Sequence, residues 1–233
     1  MRFSGMEKVS LVDYDGYTAC TVFTAGCNMR CPFCQNAALL GPASLTISED
    51  EVIDYLQRRT NLIDALCITG GEPTLWQDLP DFIRRVRRAL PHLRVKLDTN
   101  GTNPDMLKVL LDEALLEYVA MDIKNCKEKY ESTAGAPVDL DKIERSLSLL
   151  SEKEDPNFSF ELRTTVVAEL HTEQDMHDIG VWLKDTPRFF LQMFRDRGTN
   201  LTEGLHAHSD ETLIRFGEIL RKYIPSVTVR GLF

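Results

Sequence analysis

The chain has 233 residues, 43 % of them apolar and 27 % charged, the balance of a globular protein with one sizeable core. Its formal net charge of −9, from 27 Lys and Arg against 36 Asp and Glu, argues against a general nucleic-acid binder, which needs a basic footprint. No apolar run is long enough to span a membrane and the first residues lack an apolar signal core, so the expected location is the cytoplasm, where thiols stay reduced.

Apolar runs alternate with amphipathic patterns. VSLVDYDGYTACTV reads as a hairpin with Asp15-Gly16 as its two-residue turn. TACTVFTAG (18–26) is β-branched and apolar, a strand ending at Gly26. SEDEVIDYLQRR opens with Ser48 and places Glu51 three residues later, a capping-box signature of a helix. ALCITGG (65–71) is a short buried strand stopped by two glycines, LPDFIRRVRRAL a helix closed by Pro91, LRVKLDTNG (93–101) a strand and PDMLKVLLDEA a helix. LEYVAMDIK (116–124) is a further strand, followed by a loop to Pro137 and a helix over DLDKIERSLSLLSE. DPN (155–157) breaks the chain before the strand FSFELRTTVV, and Thr172 caps a helix over EQDMHDIGVWLK with Asp175 at the capping-box position. RFFLQMF (188–194), SDETLIRFGEILRKY and SVTVRG complete the order as strand, helix and strand.

Strands alternating with helices predict parallel pairing through helical crossovers. The expected fold is α/β, a partial (open) parallel β/α barrel of about six strand–helix units, because a full eight-unit barrel takes about 250 residues. It is preceded by a short N-terminal hairpin. A flat doubly wound sheet is the alternative. With no linker-like composition, the expectation is a single domain over 1–233, with the hairpin in 1–17 and the barrel in 18–233. The basic run RRVRR (84–88) reads either as the solvated face of a helix whose apolar side is Phe82, Ile83, Val86 and Leu90, or as a docking patch for an acidic electron donor.

Three of the six cysteines, Cys27, Cys31 and Cys34, fall within TAGCNMRCPFCQN on the loop after the first long strand. A closed zinc site wants four ligands, and no His lies within thirty residues of this run. A four-iron cluster is ordinarily held by four thiolates, so three leave one iron with an open position, as a catalytic metal requires. Cys20 and Cys67 lie in apolar strands as small buried hydrophobes, and Cys126 is left without a role.

The C-x3-C-x2-C spacing, with Phe33 directly before the last cysteine, resembles the radical S-adenosylmethionine (SAM) enzymes. The resemblance implies a [4Fe-4S] cluster on Cys27, Cys31 and Cys34, SAM chelating the fourth iron, and the backbone of Phe33 and Gln35 against the adenine. GGEP (70–73) looks like the family segment that receives the methionyl ammonium, which assigns Gly70, Gly71 and Glu72 to SAM. LDTNG (97–101) looks like the TNG segment near SAM, with Asp98, Thr99 and Asn100 as its polar tips. MDIK (121–124) resembles the acid and lysine that line the SAM pocket of glycyl-radical-enzyme activating enzymes, here Asp122 and Lys124. Arg163 and Gln192 are polar groups inside apolar strands and are read as ligand contacts, with Gln192 standing where related activating enzymes often carry His. All of these fall near strand C-terminal ends, where α/β folds place their sites.

LVDYDGY, CTVFTAGCNMRCPFCQN, GGEPTL and VTVRG together are similar to the anaerobic ribonucleoside-triphosphate reductase activating proteins, near the pyruvate formate-lyase activating enzymes, along residues 5–231. That resemblance implies a radical SAM oxidoreductase that reductively cleaves SAM and generates a glycyl radical on an anaerobic ribonucleotide reductase, with a flavodoxin or ferredoxin as electron donor. No residue is expected to act as a general acid or base. The alternatives are activation of another glycyl-radical enzyme of the pyruvate formate-lyase type, modification of a small molecule or peptide, and a non-catalytic metal-binding module. His206 and His208, in the longest loop, read as a solvated segment ahead of a helix capped by Ser209, or as groups contacting a partner or closing the pocket.

Overall fold

Apolar β-branched runs and side-chain caps put the elements nearly where their sequence assigns them. The computed structural model describes residues 1–41, 46–184 and 186–232. In chain order the elements are β1 (Arg2–Phe3), β2 (Gly5–Ser10), β3 (Ala19–Thr24), β4 (Ile47–Ser48), α1 (Glu49–Gln57), β5 (Ala65–Gly70), α2 (Leu79–Ala89), β6 (Arg94–Thr99) and α3 (Pro104–Asp112). They continue with β7 (Tyr118–Asp122), α4 (Tyr130–Ala134), α5 (Leu140–Ser151), β8 (Ser159–Val166), α6 (Glu173–Trp182), β9 (Phe189–Met193), α7 (Asp210–Leu220) and β10 (Val227–Arg230). This is an α/β fold with mostly parallel strands, in the strand–helix order expected of a partial barrel. No helix among the described residues is long and apolar enough to cross a membrane.

The chain packs as two compact units. The first comprises Met1–Cys27, Ala38–Ala120 and Asp141–Ser159; the second comprises Asn28–Ala37, Met121–Leu140 and Phe160–Phe233. In the first, β3 pairs parallel with β5 from Ala19↔Ala65 to Thr24↔Gly70, and β5 with β6 from Ala65↔Arg94 to Ile68↔Leu97. Val22, Leu66, Ile68, Val95 and Leu97 are wholly buried there. The Ser48–Glu51 capping box opens α1 as expected.

Helix α2 buries Phe82, Ile83 and Val86, and three of its arginines find carboxylates of their own unit. Arg84 forks onto Glu113 at 2.7 and 2.6 Å, Arg85 pairs with Glu49 and Asp50, and Arg87 binds Glu117 and the carbonyls of Leu93 and Leu115. Three of the four arginines in the run at 84–88 are thus paired within their own unit, as a solvated helix face would have them, and Arg88 is exposed.

The N-terminal hairpin differs from its expected form. Strands β2 and β3 do pair antiparallel, but the register shifts between Glu7 and Ser10, and the eight residues 11–18 connect the strands. Asp15 and Gly16 instead form the centre of a turn within that loop, with Gly16 at φ +82° and the Tyr17 N–H donating to the Tyr14 carbonyl at 3.0 Å. Long-range contacts hold the loop open. The Asp13 carbonyl accepts from Lys96 Nζ at 2.5 Å, its carboxylate accepts from the Thr21 hydroxyl at 2.6 Å, and the Tyr14 ring packs with Ala65, Tyr118 and Ala120. A short β1–β4 pair, not expected from the sequence, closes Arg2 onto Ser48.

In the second unit β8 pairs parallel with β9, and β9 with β10. The Thr172–Asp175 capping box opens α6, and Ser209 caps α7. The stretch read as a loop to Pro137 contains a 3-10 turn at Lys127–Lys129 and the five-residue α4, too short to show a helical period. Gly135 ends α4 at φ +64°, where a Cβ would lie 2.2 Å from the Arg30 carbonyl oxygen.

Candidate functional site

In the first unit the glycine pair at the end of β5 answers a packing need. A Cβ on Gly70, which sits at φ +121°, would fall 2.4 Å from the Thr24 nitrogen, and one on Gly71 would lie 2.0 Å from the Gly26 carbonyl oxygen. The strand ends can therefore touch backbone to backbone, with the Gly71 and Glu72 N–H groups donating to the Thr24 and Gly26 carbonyls at 2.9 and 2.8 Å.

Glu72, only 1 % exposed, turns its carboxylate inward. Oε1 accepts from the Thr74 N–H at 3.1 Å, the Thr74 hydroxyl at 2.6 Å and the Thr99 hydroxyl at 2.7 Å; Oε2 accepts from the Asn100 N–H at 2.7 Å. Burial pushes its pKa up, and these donors pull against it. The carboxylate thus ties the end of β5 to the end of β6. Beside it, Asp98 pairs with Lys96 at 3.1 Å, and the Asn100 side-chain amide donates to Cys27 Sγ at 3.9 Å.

The second unit carries the charged group. Asp122, at the end of β7, sits between Lys124 Nζ at 3.0 Å and the Arg163 guanidinium. Burial opposes its charge, but Arg163 and Lys124 outweigh burial and hold its pKa at about 2. Burial likewise acts against the Lys124 cation, and Asp122 with its hydrogen bond outweighs it, so its pKa is raised. Two cations thus share this one carboxylate. Burial pushes the Cys31 thiol up, and Lys124 is the strongest influence favouring its thiolate. Gln192 accepts from the Thr165 hydroxyl at 3.4 Å on the adjoining strand.

The cysteine loop in this unit is braced on two sides. The Arg30 N–H donates to the Ala134 carbonyl at 2.8 Å, and Cys34 N–H closes a turn onto the Cys31 carbonyl at 3.0 Å, with Phe33 buried between them in sequence. Gln35 donates through Nε2 to the Arg195 carbonyl at 2.8 Å, its own carbonyl accepts from the Thr199 hydroxyl at 3.1 Å, and the Thr202 N–H donates to the Pro32 carbonyl at 2.9 Å. The long segment after β9 therefore lies on the cysteine loop, a contact that no local pattern announces.

Sequence reasoning also passed over His171. The Val167 N–H donates to its Nδ1 at 3.1 Å, so Nε2 carries the proton and donates to the Lys124 carbonyl at 2.9 Å. Burial lowers its pKa and keeps the ring neutral. Together with Asn125, which donates to Thr133 Oγ1 and the Leu170 carbonyl, it fixes the backbone that carries Lys124. His206 binds Glu169 at 2.7 Å and His208 the His171 carbonyl at 3.0 Å, so both histidines anchor their segment to its own unit.

All six cysteines are thiols. Cys20 and Cys67 are wholly buried in strands, as expected, and burial pushes the Cys20 pKa to about 12. Cys126 donates to Asp175 Oδ1 at 3.5 Å, and burial raises its pKa to about 11. Two sulfurs of the cysteine loop have a further influence: an amide N–H faces Cys27, and at Cys31, where burial still raises the pKa, the Lys124 ammonium works toward the thiolate. Three thiols in C-x3-C-x2-C spacing, two of them with such a group, are a donor set that fits an iron–sulfur cluster with one open iron.

Comparison with known proteins agrees with this chemistry. A sequence model described as the radical SAM superfamily matches residues 21–183, a stretch that runs through both units. A Methanocaldococcus jannaschii protein named as a candidate glycyl-radical enzyme activating enzyme is 32 % identical over 235 residues, covering 98 % of this chain and 95 % of that protein. A second protein of that organism with the same kind of name is 27 % identical, over 89 % of this chain and 79 % of its own length. Among solved structures, a radical SAM methyltransferase from Sphaerobacter thermophilus superposes with a TM-score of 0.70 at 16 % identity, covering 94 % of this chain and 68 % of that one, which establishes the shared fold.

Proposed function

The chain belongs to the radical SAM superfamily, whose enzymes work with a [4Fe-4S] cluster and SAM, and on that premise we propose that it is a glycyl-radical-enzyme activating enzyme whose partner is an anaerobic ribonucleotide reductase. The observation that carries the activating role is the similarity along 98 % of the chain to the candidate activating enzyme of M. jannaschii. The motif resemblance to reductase activating proteins narrows the partner. The enzyme works in the cytoplasm and receives its electron from a flavodoxin or ferredoxin.

Cys27, Cys31 and Cys34 hold the cluster. When bound, cluster and SAM together supply one-electron reductive chemistry and the removal of a hydrogen atom from the partner's glycine. The protein binds, orients and excludes. The backbone of Phe33 and Gln35 would hold the adenine, with Arg195 and Thr199 fixing Gln35 in place. Gly70 and Gly71 let the β5 end pack directly on the backbone of Thr24 and Gly26 and so fix the strand end that would face SAM, while Glu72 holds Thr99 and Asn100 in place, with Asp98 at the same strand end. Asp122, Lys124 and Arg163 present a net positive charge to the SAM carboxylate, and Gln192 supplies a neutral polar contact. None of these groups moves a proton in the reaction.

The test is anaerobic. Wild type and Cys31→Ala are reconstituted with iron and sulfide, reduced, given SAM and assayed for 5′-deoxyadenosine, then mixed separately with an anaerobic ribonucleotide reductase and with a pyruvate formate-lyase. Cysteine-dependent 5′-deoxyadenosine and a glycyl radical signal on the reductase alone are expected. A signal on the lyase alone would reassign the partner, and an intact reducible cluster that yields no product with either enzyme would remove the activating role.

A further inference from the structure

We propose that the Asn100 side chain tunes the reduction potential of the cluster, as a positioning residue that presents its amide N–H to the Cys27 sulfur. The inference rests on the reading of Cys27 as a cluster ligand. All the contacts that carry it lie in one unit.

The amide is oriented from its other end. Asn100 Oδ1 accepts from the Thr102 N–H at 3.0 Å and from the Thr102 hydroxyl at 2.7 Å. The backbone N–H can only donate, so it decides which end of an otherwise ambiguous amide is the oxygen. The end facing Cys27 is therefore Nδ2, 3.9 Å from Sγ. The backbone is held as firmly: the Asn100 N–H donates at 2.7 Å to Glu72, whose carboxylate also binds Thr74 and Thr99. Asn100 is buried, so bulk water is a poor substitute for its N–H. The buried Glu72 anchor and the Thr102 turn both serve to aim one donor at one sulfur.

An N–H dipole stabilises negative charge on the atom it faces, and in a buried setting that effect is weakly screened. One-electron reduction adds one negative charge to an iron–sulfur cluster, and hydrogen bonds to its sulfurs are among the determinants of its potential. A donor at Cys27 therefore favours the reduced state. Removing it makes the cluster harder to reduce, and replacing it by a carboxylate does so further. In the structure the same polar strand end that resemblance gave to SAM alone serves the metal ligand as well.

The experiment uses the reconstituted holoprotein in wild-type, Asn100→Ala, Asn100→Asp and Thr102→Val forms. Iron and labile sulfide are counted, and the reduced cluster is titrated by electron paramagnetic resonance against a mediated dithionite scale. With cluster content equal to wild type, the reduced fraction at a fixed poise near the midpoint is expected to fall about three- to tenfold in Asn100→Ala, further in Asn100→Asp, and less in Thr102→Val, which loosens the amide without deleting it. Coincident titration curves for wild type and Asn100→Ala would overturn the proposal. If Asn100→Ala cannot hold a cluster, Thr102→Val decides, and a curve identical to wild type there overturns it. Failure of the underlying reading looks different: wild type itself would assemble no cysteine-dependent cluster, and the proposal would fall with it.

Discussion

Two strand-end carboxylates, Glu72 after β5 and Asp122 at the end of β7, occupy the same place in the strand–helix pattern and live in opposite surroundings. Glu72 is satisfied by four neutral donors of its own unit, and burial drives its pKa up. Asp122 lies between Lys124 and Arg163, which hold its pKa at about 2 in spite of burial. A carboxylate held by four neutral hydrogen bonds from two strand ends serves as a tie between them. One shared by two cations has positive charge beside it that suits a ligand anion.

The largest effect that would sharpen this contrast is on stability. Glu72→Ala strands four donors and is expected to lower the unfolding free energy by about 3 kcal/mol or more, read by urea denaturation. A loss within about 0.5 kcal/mol of wild type, the range of an ordinary surface change, would break the description of Glu72 as a structural tie. Glu72→Gln keeps an acceptor and is expected to fall between the two.

Arg163→Ala should act on binding more than on folding. It removes one of the two cations at Asp122 and leaves Asp122 paired with Lys124. The dissociation constant for SAM on reconstituted protein, read by calorimetry, should rise about tenfold or more, the weight of one charge-assisted hydrogen bond. Unchanged SAM affinity with normal cluster content would show that the charge does not face the ligand.

The smallest effect is in the pH profile of stability. Asp122 has a folded pKa below its unfolded value, so its stabilisation is complete above the ordinary carboxylate range and is lost as pH falls toward about 2. Glu72 has the opposite sign. Its folded pKa is raised above the ordinary 4.5, so its contribution is present below that value and declines as pH rises through the folded pKa. Glu72→Gln should remove the decline and Asp122→Asn the acid-side rise, each read from denaturant midpoints across pH. An Asp122→Asn profile identical to wild type between pH 2 and 4 would contradict the ion-pair account.

Much of this protein is legible locally. Ser48 with Glu51, Thr172 with Asp175 and Ser209 act on N–H groups within three residues, so the starts of α1, α6 and α7 follow from their own sequence. The apolar runs that become β3, β5 and β6 are likewise self-evident strands. The hairpin is where local chemistry misleads. Asp15-Gly16 does turn, but Lys96 and Thr21 hold Asp13 inward and stretch the connection to eight residues. Helix α4 was invisible because five residues complete little more than one turn.

Sequence by itself determined the strand–helix order, the helix starts, the cysteine spacing and the polar tips of the strands, because each depends on neighbours a few residues apart. Only the tertiary structure decided what those tips touch. Glu72 meets Asn100 across 28 residues, Asn100 meets Cys27 across 73, and Gln35 meets Arg195 across 160. A side chain's partner at such separations is chosen by which strands become neighbours and which donors burial denies to water. Residue pattern cannot express that choice, since the same Glu could equally have faced a ligand.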